Sequence, residues 1–280
     1  MTKRIFIVGT PRSGTTFLQS LLACSPDVVS FPETHFFDRT VRNVLGFPIV
    51  YRSASAIVAE FRRDTEGLSI PYPELDEANG LGALHARGPV KHAKKLIAYL
   101  DAMAQNIGGE MWIEKTPRHL DHIGVIKAAC GPCEPQFVHI LRKRSSNVRS
   151  LVAAAPQWGQ TMSERDAARQ WRDDVLVHGS FASEENHHFI FYEDLTNAPE
   201  ASVRDLAEAL GVTLTSDMLA SRGEVARSMV NGWEKWKVNN LDSRILARDE
   251  TIWEDDYEQV VVDALLKIET VKVGPRSAEP

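Results

Sequence analysis

Cysteine is scarce in this chain, three residues among 280, and two of the three, Cys130 and Cys133, form the run "CGPC". Two cysteines cannot complete a structural zinc site, and no histidine at metal spacing lies beside them. The run has the sequence of a thioredoxin redox centre, but such a centre follows a strand and opens a helix, whose N-terminus lowers the thiol pKa. Here "HIGVIKAACGPCEPQFVHILR" has the opposite order: a helix ends near Ala129, Gly131 and Pro132 break it, and a strand from Phe137 to Leu141 follows. The expectation is a turn carrying two incidental thiols.

Long apolar runs are also missing. No stretch approaches the ~18 residues of a membrane span, and the apolar run from Ile5 to Val8 is too short for a signal peptide, so a cytoplasmic protein with no membrane partner is expected. Positive charge is not in excess either: the net charge is −6 and the pI about 5.9, which argues against a general nucleic-acid or polyanion binder. Any anion site must therefore be local. With 43% hydrophobic and 25% charged residues, 280 residues suffice for one sizeable core, and a single domain over 1–280 is the expectation.

One further absence is specific. The stretch "RIFIVGTPRSGTTF" at 4–17 has Gly9 and Gly14 at the spacing of an ATP-binding loop and Thr16 where the magnesium-binding hydroxyl belongs, yet Thr15 stands where G-x-x-x-x-G-K-[ST] requires lysine. The loop carries its cation at Arg12 instead. Backbone N–H groups of a glycine loop that opens a helix bind a phosphate whatever the side chains are, so the anion cradle is kept and the cation spanning the β- and γ-phosphates is lost.

Along the chain, strand-like and helix-like segments alternate. Strands are expected at Ile5–Val8, Met111–Glu114, Phe137–Leu141 and His188–Tyr192. Helices are expected at Thr15–Cys24, after Thr116 as N-cap with Pro117 in first position, from Ser145 or Ser146 through Leu151, over 163–178, and from Pro199 to Leu210 with Gly211 as stop. This order predicts an α/β fold, a parallel sheet with helices on both faces and ligands at the carboxyl ends of the strands. Residues 39–110 are less regular, with a helix from about Val90, and are expected to form a substrate-pocket or lid insertion.

A second anion site is suggested by "ILRKRSSNVRS", which places Arg142, Lys143, Arg144 and Arg149 at a strand end and helix start; a solvated basic face is the plainer alternative. His119 and His122, three apart, either pair on a metal or form a polar helix face. His187 and His188 are adjacent in a strand, point to opposite faces and receive no role. Trp158, Trp171, Trp233 and Trp253 either line an acceptor pocket or pack in the core.

The ordered set "TPRSGTTF", "LRKRSSNVRS" and "FYEDL", with "PETHFFD" at 32–38 and "IEKTPRHL" at 113–120, resembles the sulfotransferases that use 3′-phosphoadenosine 5′-phosphosulfate (PAPS), in particular the bacterial small-molecule and heparan 3-O-sulfotransferase-like branch. The resemblance covers residues 4 to about 210. It implies that Pro11, Arg12, Ser13, Gly14, Thr15 and Thr16 hold the 5′-phosphosulfate, Arg142 and Ser150 the 3′-phosphate, and Phe17 the adenine, with Tyr192 as the strand-end tyrosine. It implies Glu33 as general base, His35 as its helper or an alternative base, and Lys115 with Arg12 as cations for the transferred group. "RKRS" replaces the commoner Arg-Asp-Pro-Arg, and Lys237, within "GWEKWKVNN", is the candidate from the C-terminal 3′-phosphate loop.

The implied reaction moves a sulfuryl group to a hydroxyl of a small molecule or a carbohydrate, with no metal and no nucleic-acid partner. Two alternatives stay open at this point. A P-loop kinase or NTPase would use a Walker B-like carboxylate, for which Glu193 and Asp194 are available, and a non-catalytic protein would bind adenosine bisphosphate and transfer nothing.

Overall fold

The computed structural model describes residues 2–44, 47–50, 52–64, 88–229 and 251–273. Lys237, with Trp233, Lys235 and Trp236, and much of the expected insertion lie outside the described residues. Strands β1 (Lys3–Gly9), β2 (Val28–Phe31), β3 (Val41–Val44), β4 (Phe47–Val50), β5 (Met111–Lys115), β6 (Gln136–Leu141) and β7 (His187–Phe191) alternate with helices. These are α1 (Thr15–Leu22), α2 (Phe36–Thr40), α3 (Ala54–Asp64), α4 (Pro89–Asn106), α5 (Ile123–Cys130), α6 (Arg144–Ala154), α7 (Glu164–Ser180), α8 (Tyr192–Asn197), α9 (Pro199–Ala209), α10 (Ser216–Ala220), α11 (Arg222–Met229) and α12 (Gln259–Val271).

Five strands form one all-parallel sheet in the order β2-β5-β1-β6-β7, and β3 and β4 make a separate antiparallel hairpin. The central strand alternates between two cores. Phe6 and Val8 join one cluster with Trp112, Phe137 and residues of α4 and α5; Ile5 and Ile7 join the other with Ile113, Val138, Ile140 and residues of α1 and α9. Helices thus cover both faces, which is why the strands read as continuous apolar runs rather than as alternating ones. A third cluster joins Trp171 and Val175 of α7 to Leu265 and Ile268 of α12.

The edge strand β2 was not expected; four residues, "VVSF", carry too little pattern to stand out from a loop. Two helix starts also differ. After Thr116 the chain makes a 3₁₀ turn, Pro117–His122, before α5, and Thr116 does not cap it with its side chain. Helix α6 begins at Arg144 with Lys143 as N-cap, so Ser145 and Ser146 lie inside the helix rather than capping it. The insertion region contains α3 and α4, and α4 packs its Leu96, Tyr99, Leu100 and Met103 into the first core.

At "CGPC", α5 ends at Cys130, and Gly131 turns away with φ 65°. Burial pushes the Cys130 thiol up to about 11, the reverse of what a redox thiol needs. Among the described residues no helix is long and apolar enough to cross a membrane.

All five strands of the main sheet end on the same side, and the strand order reverses direction at β1, where a crevice opens in folds of this kind. The loop after β1 turns into α1 through Gly14 at φ 93°, a conformation that residues with a Cβ rarely adopt. A Cβ on Gly14 would lie 2.3 Å from Cδ2 and 2.6 Å from Cε2 of Tyr192. Gly14→Ala is therefore expected to lower stability by roughly 1–3 kcal/mol in denaturant unfolding. Adding Tyr192→Ala should recover the steric part of that loss; no recovery would mean that the strained φ alone sets the cost.

Candidate active site

A cavity of about 860 Å³ opens at the carboxyl ends of the strands, with Pro11, Arg12, Gly14, Thr15, Thr16, Glu33, His35, Arg142 and Tyr192 in its wall. Each strand of the sheet delivers something to this region. β1 leads into the loop, β2 into Glu33, β5 ends at Lys115, β6 runs into Arg142 and β7 into Tyr192.

The loop is held from behind by α6. Asn147, fully buried, donates from Nδ2 to Pro11 O at 3.0 Å and to Ser13 Oγ at 3.1 Å. Ser13 is itself buried, so it supports the loop and does not face the cavity. Among the described residues, Arg12 is one of two non-glycine residues with positive φ, at 73°. Its Nε donates to Ser150 Oγ at 3.2 Å, and Arg142 Nη1 donates to Arg12 O at 3.0 Å.

Two guanidinium groups therefore share one small region. Burial first, and then the charge of Arg142, lower the Arg12 pKa from its ordinary value. Arg142 lies over the Tyr192 ring at 4.5 Å, and its Nε is buried with no hydrogen-bond partner among the described residues. Like charges side by side in a region of low dielectric are unfavourable unless an anion joins them. Arg142 and Ser150, assigned by sequence to a different phosphate from Arg12, are thus each bonded to Arg12.

Of the basic run at 142–149, Arg142 alone lines the cavity. Arg144 turns to Asp256 and Glu254 and lies over the Tyr257 ring, and Arg149 is exposed, so the run does not act as one cluster. Phe17 packs edge-on against Tyr192 at 6.4 Å, and Arg222, 4% exposed, lies over the Phe17 ring at 4.9 Å. No feature of the sequence linked Arg222 to Phe17, since 205 positions separate them.

On the other side of the loop lies the second group. Lys115, 1% exposed, donates from Nζ to Thr16 Oγ1 at 3.1 Å and makes a close ion pair with Glu33. The other Glu33 oxygen meets His35 Nε2 at 3.1 Å, and His35 Nδ1 meets Asp38 at 3.4 Å. Burial opposes a charge on His35, but hydrogen bonds and attraction from Asp38 and Glu33 outweigh it and push its pKa up to about 9. His35 is then cationic at neutral pH and holds both ring protons. A residue in that state cannot accept a proton from an acceptor.

Neither carboxylate offered for a Walker B role lines the cavity. Asp194 pairs with Lys272 Nζ at 2.6 Å, and Glu193 Oε1 accepts the N–H of Lys143 at 3.0 Å. His119 and His122 form neither a metal pair nor a polar face: both are buried, His119 bonded to Glu114 and His122 stacked on Phe37. His187 and His188 do point apart, to His139 and to Gln136 respectively. Trp158 lines the cavity, whereas Trp171 is core, its Nε1 donating to Arg142 O at 2.7 Å, and Trp253 packs against the third cluster.

The cavity wall also includes Leu151, Trp158, Met162 and the Arg118–Asp174 pair, in which Nη1 reaches both carboxylate oxygens at 2.9 Å. Sequence reading missed that pair because its members are 56 positions apart. Among the described residues, no group of three or more His, Cys, Asp or Glu side chains is placed to hold a metal ion.

The raised His35 pKa has a linkage consequence. Because the folded value lies above the ordinary 6.5, His35 contributes stability that is fully present below pH 6.5 and is lost as pH rises through about 9. The difference in melting temperature between the protein and its His35→Gln variant should therefore be largest in mild acid and close to zero above pH 9. A difference independent of pH would mean that His35 is held by packing rather than by Glu33 and Asp38.

Comparison with known proteins agrees with this architecture. The sequence profile of the sulfotransferase family matches residues 4–217. The solved structure of the sulfotransferase domain from the curacin biosynthetic pathway is 19% identical, covers 96% of this chain and 98% of its own, and superposes with a TM-score of 0.58. The sulfotransferase domain of the Synechococcus PCC 7002 olefin synthase is 17% identical, with 96% and 95% covered and a TM-score of 0.57. At these identities the two structures share the fold with this chain. No curated protein is similar enough to count as a match. With three quarters of its length inside the family profile, and with a five-stranded parallel sheet, the chain belongs to the sulfotransferase family.

Proposed function

We propose that the chain is a single-domain enzyme that transfers a sulfuryl group from PAPS to a hydroxyl of a small molecule or a glycan. The observation that carries this reading is the meeting of two groups in one cavity wall. An anion cradle with two arginines adjoins a carboxylate held between a buried lysine and a cationic histidine.

In this mechanism the loop N–H groups and Arg12 take the 5′-phosphosulfate, as the helix start and the absence of a lysine at Thr15 favour. Arg142 and Ser150 take the 3′-phosphate; the place of the Arg142 guanidinium in the cavity wall, beside Arg12, supports this. Phe17 and Tyr192 bound the adenine end. Lys237, from "GWEKWKVNN", completes the 3′-phosphate site in this proposal.

The acceptor oxygen attacks sulfur in line with the bond to the bridging phosphate oxygen. The new oxygen–sulfur bond forms as the old one breaks, the acceptor proton passes to Glu33, and negative charge accumulates on the phosphate oxygen. Arg12, Lys115 and the loop N–H groups are the donors available to that charge. A sulfonate on the loop competes with Glu33 for Lys115, so donor binding draws the lysine toward the reacting group and leaves Glu33 with His35. The reaction calls on no metal.

Glu33→Gln keeps size and polar contacts but cannot take the proton. Transfer of labelled sulfate from PAPS, screened over hydroxylated acceptors, should fall about 100-fold or more in kcat while affinity for 3′,5′-adenosine bisphosphate stays near that of the unmodified protein. A variant with near-normal turnover would remove Glu33 from the role of base.

A further inference from the structure

We infer that Glu114 is a positioning residue: through Thr34 and Thr116 it fixes the backbone of the segment Glu33-Thr34-His35 and so aims Glu33 at Lys115. This rests on the reading of Glu33 and His35 as the reacting pair. Glu114 precedes Lys115 in β5, and as side chains alternate along a strand the two leave opposite faces of the sheet. Lys115 goes to the reacting cluster. Glu114 goes inward and is fully buried.

A buried carboxylate without partners is costly, so what it bonds to is informative. Its Oε1 accepts three hydrogen bonds: from Thr34 N at 3.2 Å, from Thr34 Oγ1 at 2.9 Å and from Thr116 Oγ1 at 2.6 Å. Its Oε2 takes His119 Nδ1 at 2.9 Å. Both threonines touch the catalytic segment. Thr34 is its middle residue, and Thr116 Oγ1 accepts the N–H of His35 at 3.3 Å.

The geometry explains how His35 keeps an unfavourable backbone. His35 sits at φ 48°, left-handed for a residue with a Cβ, a state that persists only where neighbouring bonds over-determine it. Here the residue before it is bonded twice to Glu114, and its own N–H is bonded to a hydroxyl that is bonded to Glu114. The left-handed step reverses the chain so that the side chains of Glu33 and His35 face each other at 3.1 Å, although they are two apart. His119 is held in turn by Phe37, whose ring lies edge-on at 4.8 Å and which belongs to α2, the helix that follows the segment.

Glu114 thus acts on the reacting group from 80 positions away in sequence, and its strand neighbour is the lysine that Glu33 meets. The other groups facing His35 are Glu33 and Asp38. Because Glu114→Gln leaves His119 Nδ1 facing an amide and risks the fold, Thr34→Val is the cleaner test. It keeps the branched shape and removes the hydroxyl; Thr34→Ser returns it.

The experiment follows the His35 ring by NMR titration in the unmodified protein, Thr34→Val and Thr34→Ser, with melting temperature, PAPS-dependent turnover and affinity for 3′,5′-adenosine bisphosphate measured on the same samples. Thr34→Val should lower the His35 midpoint by about one unit or more as Glu33 moves off, and reduce kcat by roughly 10- to 100-fold with bisphosphate affinity nearly unchanged, while the melting temperature falls modestly with the loss of the buried hydrogen bonds of the Thr34 hydroxyl. Thr34→Ser should match the unmodified protein in all four readings. An unshifted His35 midpoint in Thr34→Val overturns the positioning role, as does a kcat loss matched by an equal loss of bisphosphate affinity. A shifted midpoint in a protein that transfers no sulfate upholds the positioning of the pair and overturns the proposed reaction instead.

Discussion

The architecture of the site depends on one buried cation. Lys115 ends β5 with 1% of its side chain exposed, and an ammonium taken out of water costs several kcal/mol unless it is paired and hydrogen-bonded. Two elements meet that demand. Thr16, at the start of α1, supplies a hydroxyl, and Glu33, beyond the end of β2, supplies the charge. The lysine therefore ties together the ends of three strands, since α1 is fixed to β1 by the loop. Replacing it by an apolar side chain would leave Glu33 without its closer cation.

A second electrostatic constraint lies across the loop. Arg142 is bonded to the Arg12 carbonyl and lies over the Tyr192 ring, Arg12 is bonded to Ser150, and the charge of Arg142 is one reason why the Arg12 pKa is lowered. Such a pair is poorly stabilised by its own surroundings and well stabilised by an anion with several oxygens. A single lysine reaching between phosphates, as in an ATP-binding loop, is a different solution. The left-handed Arg12 and Gly14 and the buried Asn147 behind them keep the loop open toward the cavity.

Much of this was legible in the sequence, and the reasons differ by element. The four longer strands stand out because both faces are buried, so each carries a short, mainly apolar run between turns. The loop stands out because glycine at 14 is required by geometry. β2 was lost because an edge strand of four residues has no period to detect. Thr116 and the serines at 145 and 146 misled because cap residues are defined by where their hydroxyls go, and the hydroxyl of Thr116 goes to Glu114. Asn147, Arg118 and Glu114 were passed over since their partners lie dozens of positions away. Arg144 was grouped with Arg142 by proximity in sequence, yet the turn of α6 directs it to Glu254 and Asp256.

The central claim is that Arg142, beside a loop whose own cation is Arg12, selects a nucleotide with a phosphate at the 3′ position. Titration calorimetry without metal, comparing 3′,5′-adenosine bisphosphate with ADP, tests it most directly. Both ligands carry a 5′-phosphate for the loop, and the bisphosphate alone carries a 3′-phosphate for Arg142. The account predicts that the bisphosphate binds roughly 10-fold or more tightly, the worth of about one charge-assisted hydrogen bond. Equal affinities, or binding that requires magnesium, would contradict it.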